Sequence, residues 1–197
     1  MIEPDLQSQL ERIGSLLDGE MHVSSLMRNA YSTDASVYRE TPVTVAIPRT
    51  DGDIQRLIKF ACEHQLCLVP RAAGTSLAGQ VVGNGIVVDV SRHFNRILEV
   101  NASQQWVRVQ PGGICDELNL ALNPFGLMFG PETSTSNRAT LGGMLGNNSC
   151  GSNSIKFGST YDHTLEVKGF LSDGSHAAFK KLTVQQFGKN ATPIRNF

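Results

Sequence analysis

Residues 123 to 163 constrain this chain more than any other stretch. They show almost no hydrophobic periodicity and are crowded with Gly, Asn, Ser and Thr. A loop that long inside a compact chain is usually functional or disordered. Composition argues against disorder. Five glycines fall in the seventeen residues from Gly142 to Gly158, and Leu141, Met144, Leu145, Ile155 and Phe157 interrupt the stretch. Apolar anchors among glycines suit a backbone packed against something flat or charged. Without a Cβ in the way, backbone N–H groups can approach a phosphate closely.

A second loop of this kind reads Pro70-Arg71-Ala72-Ala73-Gly74-Thr75-Ser76-Leu77-Ala78-Gly79-Gln80. It leaves the end of an expected strand, where α/β-type sheets place ligands. Its small residues and hydroxyls suit a pyrophosphate, with no need of a lysine where enough N–H groups converge. The common nucleotide motifs are absent. Gly83-Asn84-Gly85 runs on to Val88 and misses the dinucleotide fingerprint, and no P-loop signature occurs. Gly74-Thr75-Ser76-Leu77-Ala78 falls one residue short of a nucleophile elbow and lacks convincing Asp and His partners. No His/Cys cluster has metal spacing, so no metal site is expected.

The rest of the chain supplies the scaffold. Leu6, Leu10, Ile13 and Leu17 predict an opening amphipathic helix. Residues 20 to 42 read as polar and irregular. Val43 to Ile47 predicts a strand ended by Pro48. Thr50 and Asp53 resemble a capping box for a helix bearing Ile54, Leu57, Ile58 and Ala61 on one face. Leu66 to Val69 predicts a strand stopped by Pro70, completing a βαβ unit with parallel strands. A strand at Ile86 to Val90 follows. Ile97 to Val100 and Trp106 to Val109 predict a hairpin with Val107 and Val109 on one face. Ile114, Leu118, Ala121 and Leu122 predict a short helix. Leu165 to Leu171 predicts a strand, Asp173-Gly174 a turn, and Val184 to Phe187 a short helix. The expected class is α+β in two lobes: a small βαβ lobe over about 31–85 and a strand-rich lobe over about 86–197. Residues 1–30 form an N-terminal helical extension.

The 197 residues, 40% hydrophobic, suffice for one well-cored domain or two small lobes. A formal net charge of -1 gives no bulk attraction to a polyanion, so nucleic acid is not an expected partner. No apolar run is long enough to span a bilayer, and the acidic N-terminus lacks a signal core. Cys62, Cys67, Cys115 and Cys150 are scattered, which fits a reducing compartment. The expected location is cytoplasmic, free or peripheral to the inner membrane. The sequons at Asn101, Asn147 and Asn190 then read as chance.

The two loops carry a specific resemblance. Pro70 to Gln80 resembles the first pyrophosphate loop of the FAD-linked oxidase family, the p-cresol methylhydroxylase type of FAD domain. Pro131-Glu132-Thr133-Ser134-Thr135-Ser136 resembles its flavin-proximal segment. Ala139-Thr140-Leu141-Gly142-Gly143-Met144-Leu145-Gly146-Asn147-Asn148-Ser149-Cys150-Gly151 resembles its second Gly-rich loop, with Phe157-Gly158 and Asp162-His163 as continuation. The likeness covers roughly residues 30 to 175. It is strongest to D-lactate dehydrogenases, the glycolate oxidase large subunit and D-2-hydroxyglutarate dehydrogenases. Ser134 to Thr140 is similar to the large bacterial members that add a C-terminal iron–sulfur region.

The resemblance implies FAD extended between the lobes, its pyrophosphate held by 71–76 and 140–151. The implied contacts come from Pro70 to Ser76, Gly79, Gln80, Pro131, Glu132, Thr133, Ser136, Ala139, Thr140, Gly142, Gly143, Asn147, Asn148, Ser149, Gly151, Phe157 and Gly158. Covalent members often carry His where this chain has Thr75, so FAD is expected to be non-covalent. The implied reaction oxidises a small D-2-hydroxy acid and passes electrons to a downstream acceptor. Family members continue well past residue 197. The substrate cap and any iron–sulfur cluster would therefore lie outside this chain, and no catalytic base is assigned. Two alternatives stay open: another FAD-dependent reaction on this scaffold, or a non-catalytic nucleotide-binding domain. Plainer roles also stand beside some residues. Arg71 suits a surface ion pair as well as a flavin contact, and Glu132 a solvated rim. His163 suits a structural role, and Cys150 that of a small buried residue.

Overall fold

Thr44–Ile47 and Ile86–Asp89 have side chains buried on both faces, which is what the interior of a parallel sheet demands. The computed structural model describes residues 4–180, and the helix expected at Val184 to Phe187 lies outside them. The first sheet contains β1 (Glu20–His22), β2 (Thr44–Ile47), β3 (Leu68–Arg71) and β4 (Ile86–Asp89), in the order β1-β2-β4-β3. β4 pairs in parallel with both β2 and β3, and β1 pairs antiparallel with β2. The βαβ unit is present, with β4 inserted between its two strands. That strand, expected to open the second lobe, instead sits at the centre of the first sheet. Pro70 lies within β3, not after it. An edge strand tolerates the missing donor.

Two helices share the first core. α1 (Pro4–Gly14) buries Leu10 completely beside Leu57 and Phe60 of α3 (Asp51–Glu63) and Ile86 of β4. The opening helix is thus part of this core and not an appendage. α3 starts at the predicted capping box: Thr50 Oγ1 accepts from Asp53 N at 3.2 Å, and Asp53 Oδ2 accepts from Thr50 N at 3.3 Å. On the sheet's other face, Val45, Ile47 and Val87 pack with Tyr31 and Val69.

Residues 20 to 42 are more regular than their pattern suggested. They hold β1 and α2 (Ser25–Ala30), the latter capped by Ser24. Both elements are too short to display a periodicity, and pairing with β2 fixes the strand.

The second core lies under the predicted hairpin of β5 (Ile97–Asn101) and β6 (Trp106–Val109). Val107 and Val109 face inward onto Leu118 and Leu122 of α4 (Cys115–Leu122). The long apparent loop is not irregular throughout. It contains α5 (Leu141–Gly146) and α6 (Ser154–Phe157), plus 3-10 turns at Asn123–Phe125 and Tyr161–His163. Three glycines in six residues make α5 a poor helix by propensity. It forms because Leu141 and Met144, three residues apart, anchor in the second core. β7 (Glu166–Phe170) and β8 (His176–Lys180) close the described chain as a hairpin turning at Asp173–Gly174.

Candidate cofactor site

β3 and β4 run parallel and end side by side at Arg71 and Asp89, and the 72–80 loop departs there. Among the described residues Arg71 makes no surface ion pair. Its Nη1 donates to the carbonyl oxygens of Tyr31 (3.3 Å) and Val81 (3.4 Å), and its guanidinium lies 5.1 Å from the Tyr31 ring centroid. Gly74 adopts φ +66°, with its α-carbon against that guanidinium. Gly79, at φ +71°, rests on the Tyr38 ring. Ser76 Oγ donates to Gln80 Oε1 (2.7 Å) and accepts from Gln80 N (3.2 Å), folding the loop back on itself. Ala72 and Thr75 are half-buried, while Pro70 and Ala73 are exposed.

The segment before the loop supports it from behind. Ala35 N donates to Gly74 O at 3.2 Å. Burial works to raise the Asp34 carboxyl, but hydrogen bonds from Ser36 and Ser76 outweigh it and hold it below the usual carboxylate range.

The second Gly-rich segment splits into inward and outward residues. Ala139 packs in the second core, and its carbonyl takes the Cys115 N–H. Gly142 donates its N–H to Pro111 O at 2.8 Å, and a Cβ on it would sit 2.5 Å from Pro111 Cβ. Packing alone therefore accounts for glycine at 142, and its N–H is already engaged. Gly143 faces outward, and a Cβ there would meet only Thr140 Oγ1 at 3.2 Å. Asn147 is exposed and accepts from Gln80 Nε2 at 2.8 Å, which joins this segment to the first loop. Asn148, at φ +45°, accepts from Tyr161 N through Oδ1, and Ser149 O accepts from Thr160 Oγ1 at 2.7 Å.

The 131–136 segment lies against the residues that follow α5. Pro131 is fully buried. Glu132 Oε2 accepts from Asn153 Nδ2, and a Cβ on Gly151 would collide with the Glu132 carbonyl. Thr133 Oγ1 lies 3.4 Å from Thr135 Oγ1, and Ser136 O accepts from Asp116 N at 3.2 Å. Gly158, at φ +77°, ends α6 against the Asp162 carboxylate. His163 Nε2 lies 2.6 Å from Phe157 O, the structural role given to it. Cys150 is exposed, not buried.

A cavity of about 300 Å³ lies where these parts meet. The first loop contributes Ala73, the chain after β4 contributes Ser91 and Asn95, and the β6–α4 connection contributes Gly112 and Ile114. Glu117, Arg138 and Thr140 complete it. Ala73 and Thr140 were named from sequence in separate motifs, and the fold brings them to one cavity. The other six were missed. Gly112-Gly113 after a predicted strand is a readable turn signal, and Arg138 lies within the Ser134 to Thr140 run. Thr140 is 4% exposed, and its Oγ1 is buried with no hydrogen-bond partner among the described residues. A buried hydroxyl without a partner is unfavourable unless a ligand or water completes it.

A family model described as an FAD binding domain matches residues 42–179. The chain belongs to this FAD-binding family. It is 41% identical over 192 residues to the D-2-hydroxyglutarate dehydrogenase of Escherichia coli (strain K12), covering 94% of this chain and 19% of that protein. It is 32% identical to the glycolate oxidase subunit GlcD of Bacillus subtilis (strain 168), over 88% of this chain and 37% of the relative. The chain thus spans about a fifth of the E. coli protein's length. The solved p-cresol methylhydroxylase structure superposes with a TM-score of 0.79 at 15% identity, over 90% of this chain and 36% of that one. That likeness establishes the expected mixed helix-and-strand fold.

The residues present fit FAD. The orphaned Thr140 hydroxyl offers a polar contact, the exposed Gly143 leaves room for a close approach, and Ala72 and Ala73 keep the first loop slim. Among the described residues Arg138 is the one cationic side chain lining the cavity, and backbone N–H groups of the Gly-rich segments could add to anion recognition. No group of three or more His, Cys, Asp or Glu among the described residues is arranged to hold a metal. No described helix is long and apolar enough to cross a membrane.

Proposed function

We propose that this chain is the cofactor-binding part of a dehydrogenase that oxidises a D-2-hydroxy acid, with D-2-hydroxyglutarate the favoured substrate. FAD binding rests above all on the Thr140 hydroxyl, buried and unpartnered in the cavity that Ala73 also lines. The substrate rests on the 41% identity to the E. coli relative across 94% of this chain.

Thr140, Gly143, Ala72 and Ala73 would hold the cofactor, with Thr75, Ser76, Asn147, Asn148 and Ser149 around them. Glu132, Thr133 and Ser136 would lie toward the flavin ring. Attachment is non-covalent, since Thr75 cannot supply an imidazole. FAD, when bound, supplies the two-electron acceptor that side chains lack. The substrate would lose hydride from its α-carbon and the hydroxyl proton, leaving a 2-oxo acid. The residues of this chain bind and orient the cofactor, and the proton acceptor is assigned to none of them. Electrons would pass on to a separate acceptor. The setting is cytoplasmic, supported by four cysteines that are all free thiols.

The test is the visible spectrum of the purified full-length protein, followed during anaerobic addition of D- and L-2-hydroxyglutarate, D-lactate and glycolate. A yellow protein bleached by the D-hydroxy acids is the expected result. A colourless protein that takes up no FAD would end the cofactor assignment. A loaded protein that no D-2-hydroxy acid bleaches would end the substrate assignment.

A further inference from the structure

Asp89 raises a question that FAD binding does not answer. It ends β4 at 6% exposure, in register with Arg71 on β3, yet no ion pair joins them among the described residues. A buried carboxylate is costly unless its oxygens are satisfied. Here Oδ1 accepts from Ser91 N at 2.8 Å, and Oδ2 accepts from the Tyr31 hydroxyl at 2.6 Å. Burial, reinforced by the Asp89 carboxylate, pushes the Tyr31 hydroxyl far above its ordinary range, so it remains the donor.

This bond fixes the ring against which Arg71 lies. The Arg71 guanidinium also reaches the carbonyls of Tyr31 and Val81, and Val81 is the residue at which the loop returns. Gly74 rests on the same group: a Cβ there would be 2.6 Å from Nη2. One guanidinium, carried at the start of the loop, therefore bonds its end at Val81 and packs beneath its middle at Gly74. The loop it holds carries Ala73 to the cavity and Gln80 to Asn147.

We propose that Tyr31 and Asp89 are positioning residues that fix Arg71, and through it set the 72–80 loop in its binding shape before FAD arrives. This inference rests on the FAD reading above. A loop already ordered loses less freedom on binding, so the brace acts on affinity. The fork of Arg71 reaches two carbonyls from one side chain, which a lysine ammonium on its flexible stem would not reproduce.

The experiment uses the full-length protein with Tyr31→Phe, Arg71→Lys and, as a control in the first core, Leu10→Ala. FAD affinity of the stripped protein, melting temperature and hydrogen exchange of 72–80 without FAD are measured for each. Tyr31→Phe and Arg71→Lys should each weaken FAD binding about tenfold, on the order of one lost charge-assisted hydrogen bond. Both should speed exchange in 72–80. Leu10→Ala should lower the melting temperature at least as much, with affinity and loop exchange near wild type. Wild-type exchange and affinity in Tyr31→Phe would overturn the brace. Should the wild-type protein itself take up no FAD, the cofactor reading fails instead. The exchange rates alone then decide the brace: faster in Tyr31→Phe supports it, and unchanged rejects it.

Discussion

Gln80 Nε2 donates a 2.8 Å hydrogen bond to Asn147 Oδ1, across 67 positions of chain. Gln80 Oε1 meanwhile accepts from Ser76 Oγ at 2.7 Å, so the amide is oriented from both ends. The two Gly-rich segments are therefore coupled at their outer edge. Both residues are exposed, so the bond's own contribution is modest. Gln80→Ala and Asn147→Ala should each reduce FAD affinity, and a double-mutant cycle should give a coupling of about 0.5–1 kcal/mol. Strictly additive losses, measured by FAD titration, would mean that the two segments act independently.

The adjacent glycines of α5 should separate by phenotype. Gly142→Ala places a methyl 2.5 Å from Pro111 Cβ, between parts that are both backbone-anchored. Overpacking of this kind costs about 1–3 kcal/mol, which should appear as a lower denaturant midpoint. At Gly143, which faces outward, a Cβ would meet only the Thr140 hydroxyl; the test variant is Gly143→Val. It should leave the circular dichroism spectrum intact while weakening FAD binding by roughly 1.5–3 kcal/mol, the size of a charge-assisted hydrogen bond. A folded Gly143→Val protein with unchanged FAD affinity would remove α5 from the cofactor site.

These two glycines also show what a sequence can and cannot say. Both stood out as small residues, but only the fold reveals that Pro111, some thirty positions earlier, claims the Cβ position of one of them. The capping box at Thr50 and Asp53 and the β5–β6 hairpin were legible because their signals are local. β4 was recognised as a strand, but its insertion between β2 and β3 is a pairing decision that no local pattern encodes. α5 was missed because two anchors and three glycines give a six-residue helix no visible period. Ser91, Asn95 and Glu117 carry no motif of their own, and only proximity brings them to the cavity.

Attachment of the cofactor has a direct test. Thr75, a half-buried residue of the first loop, stands where the resemblance puts the histidine of covalent members, and its hydroxyl cannot supply that imidazole. Acid precipitation of the loaded protein should release all flavin to the supernatant. Yellow colour retained in the washed pellet would show that another residue forms the bond.

Acid should loosen the first lobe through Asp53. Its carboxylate is 0% exposed. Oδ1 accepts from Asp18 N (2.9 Å) and Arg56 Nη1 (3.1 Å), and Oδ2 accepts from Gly19 N (3.0 Å) and Arg49 N (2.9 Å). With the Thr50 cap, this one side chain ties the α1–β1 connection and the end of β2 to α3. Burial works to raise its pKa, but the N–H groups of Arg49, Asp18, Thr50 and Gly19 outweigh it, and the net direction is down. The folded value thus lies below the unfolded one, near 3.9. The stabilisation is fully present above about 3.9 and is lost as pH falls from there through the folded value. Between about pH 5 and 8 this group should produce no change. Asp53→Asn turns one acceptor into a donor facing N–H groups and removes the charge beside Arg56. It should cost about 2–4 kcal/mol near neutral pH, and denaturation midpoints across the acid range should fall less steeply than in the wild type. An Asp53→Asn variant as stable as wild type at neutral pH, with the same acid slope, would show that the network around this carboxylate does not hold the lobe together.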